Sequence, residues 1–162
     1  MKLCRSRRGG VDIQALNQLS RIIDQVPARL SKFTPEDSSR RPAPGKWSPK
    51  EELGHLLDSA VNNHQRIVRV QMEDKLAMPG YQQEKWVNVH HYQSREWAEL
   101  IDLWRAMNLQ LLSAARSVPD AAWTNTCTVG GSAPMTLQFV FEDYLRHMLH
   151  HLQHIGIEVA DF

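Results

Sequence analysis

Apolar residues recur at steps of three and four along four long stretches of this chain, the spacing of amphipathic helices rather than of strands. The first stretch, from about Val11 to Ser31, carries Ile13, Leu16, Leu19, Ile22, Ile23, Val26 and Leu30 on one face. Pro35, Pro42, Pro44 and Gly45 then forbid regular helix across a connection of about fifteen residues. The second helix has a clear start, with Ser48 as N-cap, Pro49 in the first helical position and Glu51 completing an S-x-x-E capping box. It continues through Leu53, Leu56, Leu57, Val61, Ile67 and Val68 to about Met72. Pro79-Gly80 marks a break, and a third helix is predicted from about Trp86 to Arg116, with Trp97, Leu100, Ile101, Trp104, Leu111 and Ala115 on one face. Ala122 to Pro134 alternates too weakly for a strand and, with Gly130-Gly131, reads as a turn-rich strap. A fourth helix runs from about Met135 to Val159. Four such helices without a strand pair predict an all-α fold: an antiparallel four-helix bundle with a long crossover connection and a short irregular strap before the last helix.

Length and charge narrow the function classes. A chain of 162 residues suits one domain, expected over residues 11–162 behind a basic tail of residues 1–10 that holds Arg5, Arg7 and Arg8. That tail lacks the apolar segment of a secretory signal, which predicts a cytoplasmic protein. A net charge of +1, with Lys and Arg scattered rather than striped, argues against nucleic acid as a partner. No continuous apolar run approaches a membrane span. Cys4 and Cys127 stand in unlike contexts and suggest neither a disulfide nor a thiolate site.

The chemistry concentrates near the C-terminus, where His147, His150, His151 and His154 fall within one short run. All four share a stripe of the fourth helix, and His147 and His151, at i and i+4, border its apolar face. Such a pair can aim two imidazole nitrogens at one divalent ion, of which zinc, nickel, iron and manganese are the candidates. Met148 stands where a zinc protease helix needs its general-base Glu, so that class is disfavoured. His150 lies farthest from the apolar face and is the weakest candidate ligand. A third nitrogen has to come from elsewhere, and the second helix offers His55 and His64. The helical wheel places His64 inside the apolar arc and His55 outside it, so periodicity alone nominates His64. His55 instead shares its stripe with Asp58, Ser59, Asn62 and Arg66, a polar set suited to lining a cleft.

Several segments, in their order and spacing, carry a resemblance. They are Trp47-Ser48-Pro49-Lys50-Glu51-Glu52-Leu53-Gly54-His55-Leu56-Leu57-Asp58-Ser59 with Asn63 and Arg66 following, then Trp86, Tyr92 and Trp97, then Gly130-Gly131 with Met135-Thr136-Leu137, and finally Asp143-Tyr144 before His147-x-x-His150-His151. Together they resemble the DinB-like superfamily of small bacterial proteins over nearly the whole chain. The resemblance implies a four-helix bundle of DinB-like type, often a homodimer, with three histidines holding a divalent metal at one end. The family's histidines fall here on His55, His147 and His151. The family often has Gln where this chain has His154. Its members include thiol S-transferases that use low-molecular-weight thiols, a thiol-dependent isomerase and metal-dependent hydrolases.

The expectation is therefore a metal-dependent thiol S-transferase or hydrolase acting on a small electrophilic substrate, with a low-molecular-weight thiol as candidate co-substrate. The alternative is a non-catalytic metal- or ligand-binding dimeric module. Asp58 and Asp143 are the carboxylates nominated to orient the imidazoles, Asp143 lying one turn before His147. His64, Arg66 and His154 are the candidates for touching substrate, Arg66 through its fork to a carboxylate.

Overall fold

The computed structural model describes residues 13–160 and 162. The basic tail, Cys4 and the expected start of the first helix at Val11 lie outside the described residues. Among the described residues six α-helices and three short strands follow one another: α1 (Ile13–Leu30), α2 (Pro35–Ser39), α3 (Pro49–Val70), β1 (Leu76–Met78), α4 (Gln83–His90), α5 (Trp97–Arg116), β2 (Thr126–Val129), β3 (Met135–Thr136) and α6 (Leu137–Ile155).

Helices α1, α3, α5 and α6 form the bundle. Their apolar stripes meet in a core that includes Leu19, Ile22 and Ile23 of α1, Leu53 and Leu56 of α3, Leu100 and Trp104 of α5, and Phe141 and Met148 of α6. Each fully buried side chain of this size contributes about 1.5–3 kcal/mol. A polar link also crosses the core, where the Tyr144 hydroxyl donates to Asn108 Oδ1.

Contacts at the helix ends fix the directions. The indole N–H of Trp97, the first residue of α5, donates to the carbonyl of Leu30, the last of α1, at 2.9 Å, so these two helices are antiparallel. Asn125, ahead of α6, donates to the carbonyl of Val70 at the end of α3 at 2.9 Å, which makes that pair antiparallel too. Ser48 at the start of α3, however, hydrogen bonds Gln93 just ahead of α5, so α3 and α5 run in the same direction. The chain must therefore return the full length of the bundle between them. Residues 71–96 are that long crossover.

The helix starts follow their caps. Ser48 and Glu51 close the expected capping box of α3, and Thr136 caps α6 through its hydroxyl. Four local expectations need correction. The connection after α1 is not free of helix, because Pro35 occupies the first turn of α2, where its missing N–H costs nothing, behind a Thr34–Asp37 capping box. The third helix is two helices: His91 adopts a left-handed conformation (φ 50°), ends α4, and a 3-10 turn at Tyr92–Ser94 intervenes before α5. The strap is not wholly irregular, since β2 pairs in parallel with β1 of the crossover and antiparallel with β3. The last helix starts two residues later than expected, because Met135 and Thr136 belong to β3, and ends at Gly156. Gly156 takes φ 97°, a conformation costly for residues with a Cβ, and the N–H of Ile157 closes the turn on the carbonyl of Leu152 at 2.9 Å.

Candidate metal centre

The start of α3 and the end of α6 meet at one end of the bundle, and this brings His55, His147 and His151 together. One ring nitrogen from each lies within 4.8 Å of the others. His55 Nε2 is 3.0 Å from His147 Nε2, and the three ring centroids are 4.4–4.9 Å apart. His55 is fully buried, while His147 and His151 are partly buried. The Trp47 indole closes the site from the loop before α3, its centroid 5.0 Å from the His55 ring and 6.3 Å from that of His151.

This environment keeps imidazoles neutral. Burial, reinforced by the neighbouring rings of His151 and His147, pulls the His55 pKa down to about 3. Burial, then His151, pulls His147 down to about 4, against a smaller opposing pull from Asp143. At neutral pH both rings therefore have a lone pair to offer.

Glu52 sets the third ring. Its Oε2 lies 2.6 Å from His151 Nδ1, and its Oε1 lies 3.4 Å from His154 Nδ1. A carboxylate only accepts hydrogen bonds, so Nδ1 of His151 carries a proton, which leaves Nε2 as the nitrogen that can act as a ligand. Ser59 Oγ stands 3.4 Å from His147 Nδ1. His55 Nδ1 is buried with no partner among the described residues. Three imidazoles converging through nitrogens of this kind form a donor set that suits a divalent ion of the zinc, nickel, iron or manganese kind.

The other nominated residues are distributed around this centre. His64, the choice of the wheel, lies farther along α3, half-buried, and is not among the three converging residues; its Nε2 is buried without a partner among the described residues. Neither nominated carboxylate hydrogen bonds the three imidazoles. Asp58 turns to the 3-10 turn, where it accepts from the Tyr92 hydroxyl at 2.6 Å and lies 3.1 Å from His90 Nδ1. Asp143 is exposed and ion-paired with Arg146 at 2.7 Å. The carboxylate in contact is Glu52, which sequence reasoning passed over. A signal was present, because Glu52 lies three residues before His55 and so shares its stripe.

His154 is half-exposed, shares Glu52 with His151, and lies at the edge of a 480 Å³ groove that also reaches Trp47. The His150 ring packs on that of His154, centroids 4.2 Å apart, and meets the His151 ring edge-on at 5.3 Å, but it is not among the three converging residues. Arg66 lines a second cavity, of 240 Å³, together with His147, Ser59 and Asn63. Tyr81, on the crossover, forms part of the opposite wall and drew no notice in the sequence.

A model of the DinB superfamily matches residues 18–155. The chain belongs to the DinB superfamily. Among solved structures the chain is similar to YfiT from Bacillus subtilis, described as a probable metal-dependent hydrolase with an unusual four-helix bundle topology, at 15% identity and a TM-score of 0.65 over 94% of both chains. It is also similar to a mycothiol-dependent maleylpyruvate isomerase, at 11% identity and a TM-score of 0.71, over 88% of this chain and 60% of that one. These likenesses establish the DinB-type four-helix bundle as the fold. In sequence, 71 residues are 24% identical to OB0413 of Oceanobacillus iheyensis, whose name marks it as a candidate metal-dependent hydrolase. That match spans 44% of this chain and only 41% of its relative.

Proposed function

We propose that this DinB-superfamily protein is a metal-dependent enzyme, a hydrolase or a thiol S-transferase, that acts on a small electrophilic substrate through a centre of His55, His147 and His151. The observation that carries this reading is the convergence of three imidazole nitrogens within 4.8 Å, one of them oriented by Glu52, beside a cavity that reaches His147. His55, His147 and His151 would hold a divalent ion through neutral imidazoles, and such an ion would supply the charge that acidifies a water or a thiol at neutral pH.

The chain's own residues supply the setting. Burial under Trp47 excludes water from the His55 side, so that approach is from the His147 side. Glu52 holds the Nδ1 proton of His151 and with it the orientation of the ring. A cavity of 240 Å³ admits a small molecule, not a polymer segment. The names of the related proteins are split between hydrolysis and thiol dependence, which supports both branches. The same reading takes a cytoplasmic homodimer as the working form, with a low-molecular-weight thiol as the co-substrate in the transferase branch.

Elemental analysis of untagged, chelator-free protein tests the centre. About one divalent ion per chain is expected, lost in His55→Ala and in His151→Ala while the helical circular dichroism persists. An ion that survives His55→Ala but is lost in His64→Ala refutes the assignment. Screens of ester and amide hydrolysis, and of thiol-dependent consumption of electrophiles, then separate the branches. Activity in neither, with metal bound, favours a non-catalytic binding module.

A further inference from the structure

We propose that the substrate carries a carboxylate or an equivalent anionic group that docks on Arg66, while its reactive end lies at the three-histidine centre; this rests on the reading of that centre given above. Arg66 is half-buried, and among the described residues no carboxylate lies within salt-bridge distance of it. Its Nη1 donates to Asn63 Oδ1 at 3.2 Å, a neutral partner, and the carboxylate that acts on it from a distance is that of Asp143, which lines the same cavity. A permanent cation drawn partly out of water without a directly paired carboxylate is costly, and a bound anion relieves that cost. Asp143 faces it from α6, but that carboxylate is held by Arg146 at 2.7 Å.

The cavity connects this cation to the centre. Ser59, Asn63 and Arg66 occupy one face of α3 and line the same 240 Å³ space as His147. The first of them touches His147 Nδ1 at 3.4 Å, and the Asn63 amide donates back to the Ser59 carbonyl at 2.9 Å. The guanidinium, turned back onto Asn63, therefore lies about one helical turn, roughly 6 Å along the axis, beyond the group that meets the centre. A molecule of a few carbons spans that distance. Its two ends meet two positive charges, an ion at one end and a planar fork at the other that matches a carboxylate with paired hydrogen bonds. Tyr81 adds a phenol to the opposite wall, Val129 an apolar contact, and the Asp143 carboxylate, paired with Arg146, also reaches the lining. A neutral analogue of the same shape leaves the guanidinium without its partner.

The test is calorimetric titration of succinate, with succinamide as the neutral analogue, into metal-reconstituted wild type, Arg66→Met and Arg66→Lys. Arg66→Met is expected to weaken succinate binding by about ten- to hundredfold with bound metal unchanged, and Arg66→Lys to recover part of the loss. Succinamide is expected to bind both wild type and Arg66→Met weakly and alike. Equal succinate affinity in wild type and Arg66→Met, with metal present in both, overturns the docking role and leaves the centre standing. Arg66-dependent succinate binding to a protein that takes up no metal supports the docking role and refutes the metal centre.

Discussion

Replacing Gly54 by alanine should destabilise this protein, although helix propensity alone argues the reverse. In an ordinary helix interior the change stabilises by about 1 kcal/mol. Here a Cβ on residue 54 would lie 2.1, 2.2 and 2.6 Å from three carbons of the Tyr92 ring, where carbon atoms pack at about 3.5–4.0 Å. Neither side can give cheaply. Tyr92 is 3% exposed, and its hydroxyl is committed to Asp58 at 2.6 Å. Expelling the ring forfeits about 1.5–3 kcal/mol of burial and about 1.5–3 kcal/mol for a hydrogen bond to a buried carboxylate. Set against the propensity gain, the net is a loss of about 2–5 kcal/mol. Urea unfolding of wild type, Gly54→Ala, Tyr92→Ala and the double variant measures it as a cycle. In the Tyr92→Ala background the clash is gone, and Gly54→Ala should recover its gain of about 1 kcal/mol. A Gly54→Ala protein as stable as wild type would refute the claim that α3 approaches the 3-10 turn this closely.

Removing the carboxylate behind His151 by Glu52→Gln should weaken metal affinity about 10- to 100-fold while leaving the fold intact, as read by competition with a chelating dye; unchanged affinity shows that Glu52 does not orient the ring. In metal-free protein, His55 and His147 titrate at about 3 and about 4 when folded, against 6.5 when unfolded, so below pH 6.5 the unfolded chain takes up protons that the folded one refuses. The contribution of these two rings should therefore level off above that pH. It should fall by at most about 1.4 kcal/mol per pH unit for each ring as pH drops towards 4, and His55→Gln should halve the slope. Equal urea midpoints at pH 7 and pH 5 in chelated protein contradict this. Substituting Ala for Gly156, which sits at φ 97°, should cost about 1–2 kcal/mol in the same assay, because the cap of α6 needs that conformation.

What could be read in the chain divides by the range of the forces involved. The caps of α3 and the apolar stripes of the bundle are local, and the chain states them plainly: Ser48, Pro49 and Glu51 do in the structure what their spacing predicts. His147 and His151 were nominated from one helix alone, since i and i+4 share a face. His55 was not, because a wheel knows only the apolar arc of its own helix. This residue lies off that arc and is nonetheless fully buried, by Trp47 from the preceding loop and by rings from α6. The resemblance to related chains supplied it instead. Glu52 looked like an ordinary acidic residue of a first helical turn, and only α6, far along the chain, gives it a task. The break at His91 carries neither Gly nor Pro, so nothing local announced it. The short strand β2 is weak alone and acquires its partner β1 from across the crossover.

The parallel course of α3 and α5 has a further consequence. It obliges the chain to spend residues 71–96 on a return path, and that path passes the mouth of the cavity, where Gly80, Tyr81 and Gln83 stand opposite the wall formed by α3 and α6. The side that holds the imidazoles is built into bundle helices whose opposite faces are core, so few changes there are tolerated. The side that faces them is loop, short strand and short helix, the kind of structure that accepts substitution and insertion. Divergent relatives can thus reshape this wall of the cavity without disturbing the three imidazoles, and under the proposed function a change of substrate should leave its marks on the crossover first.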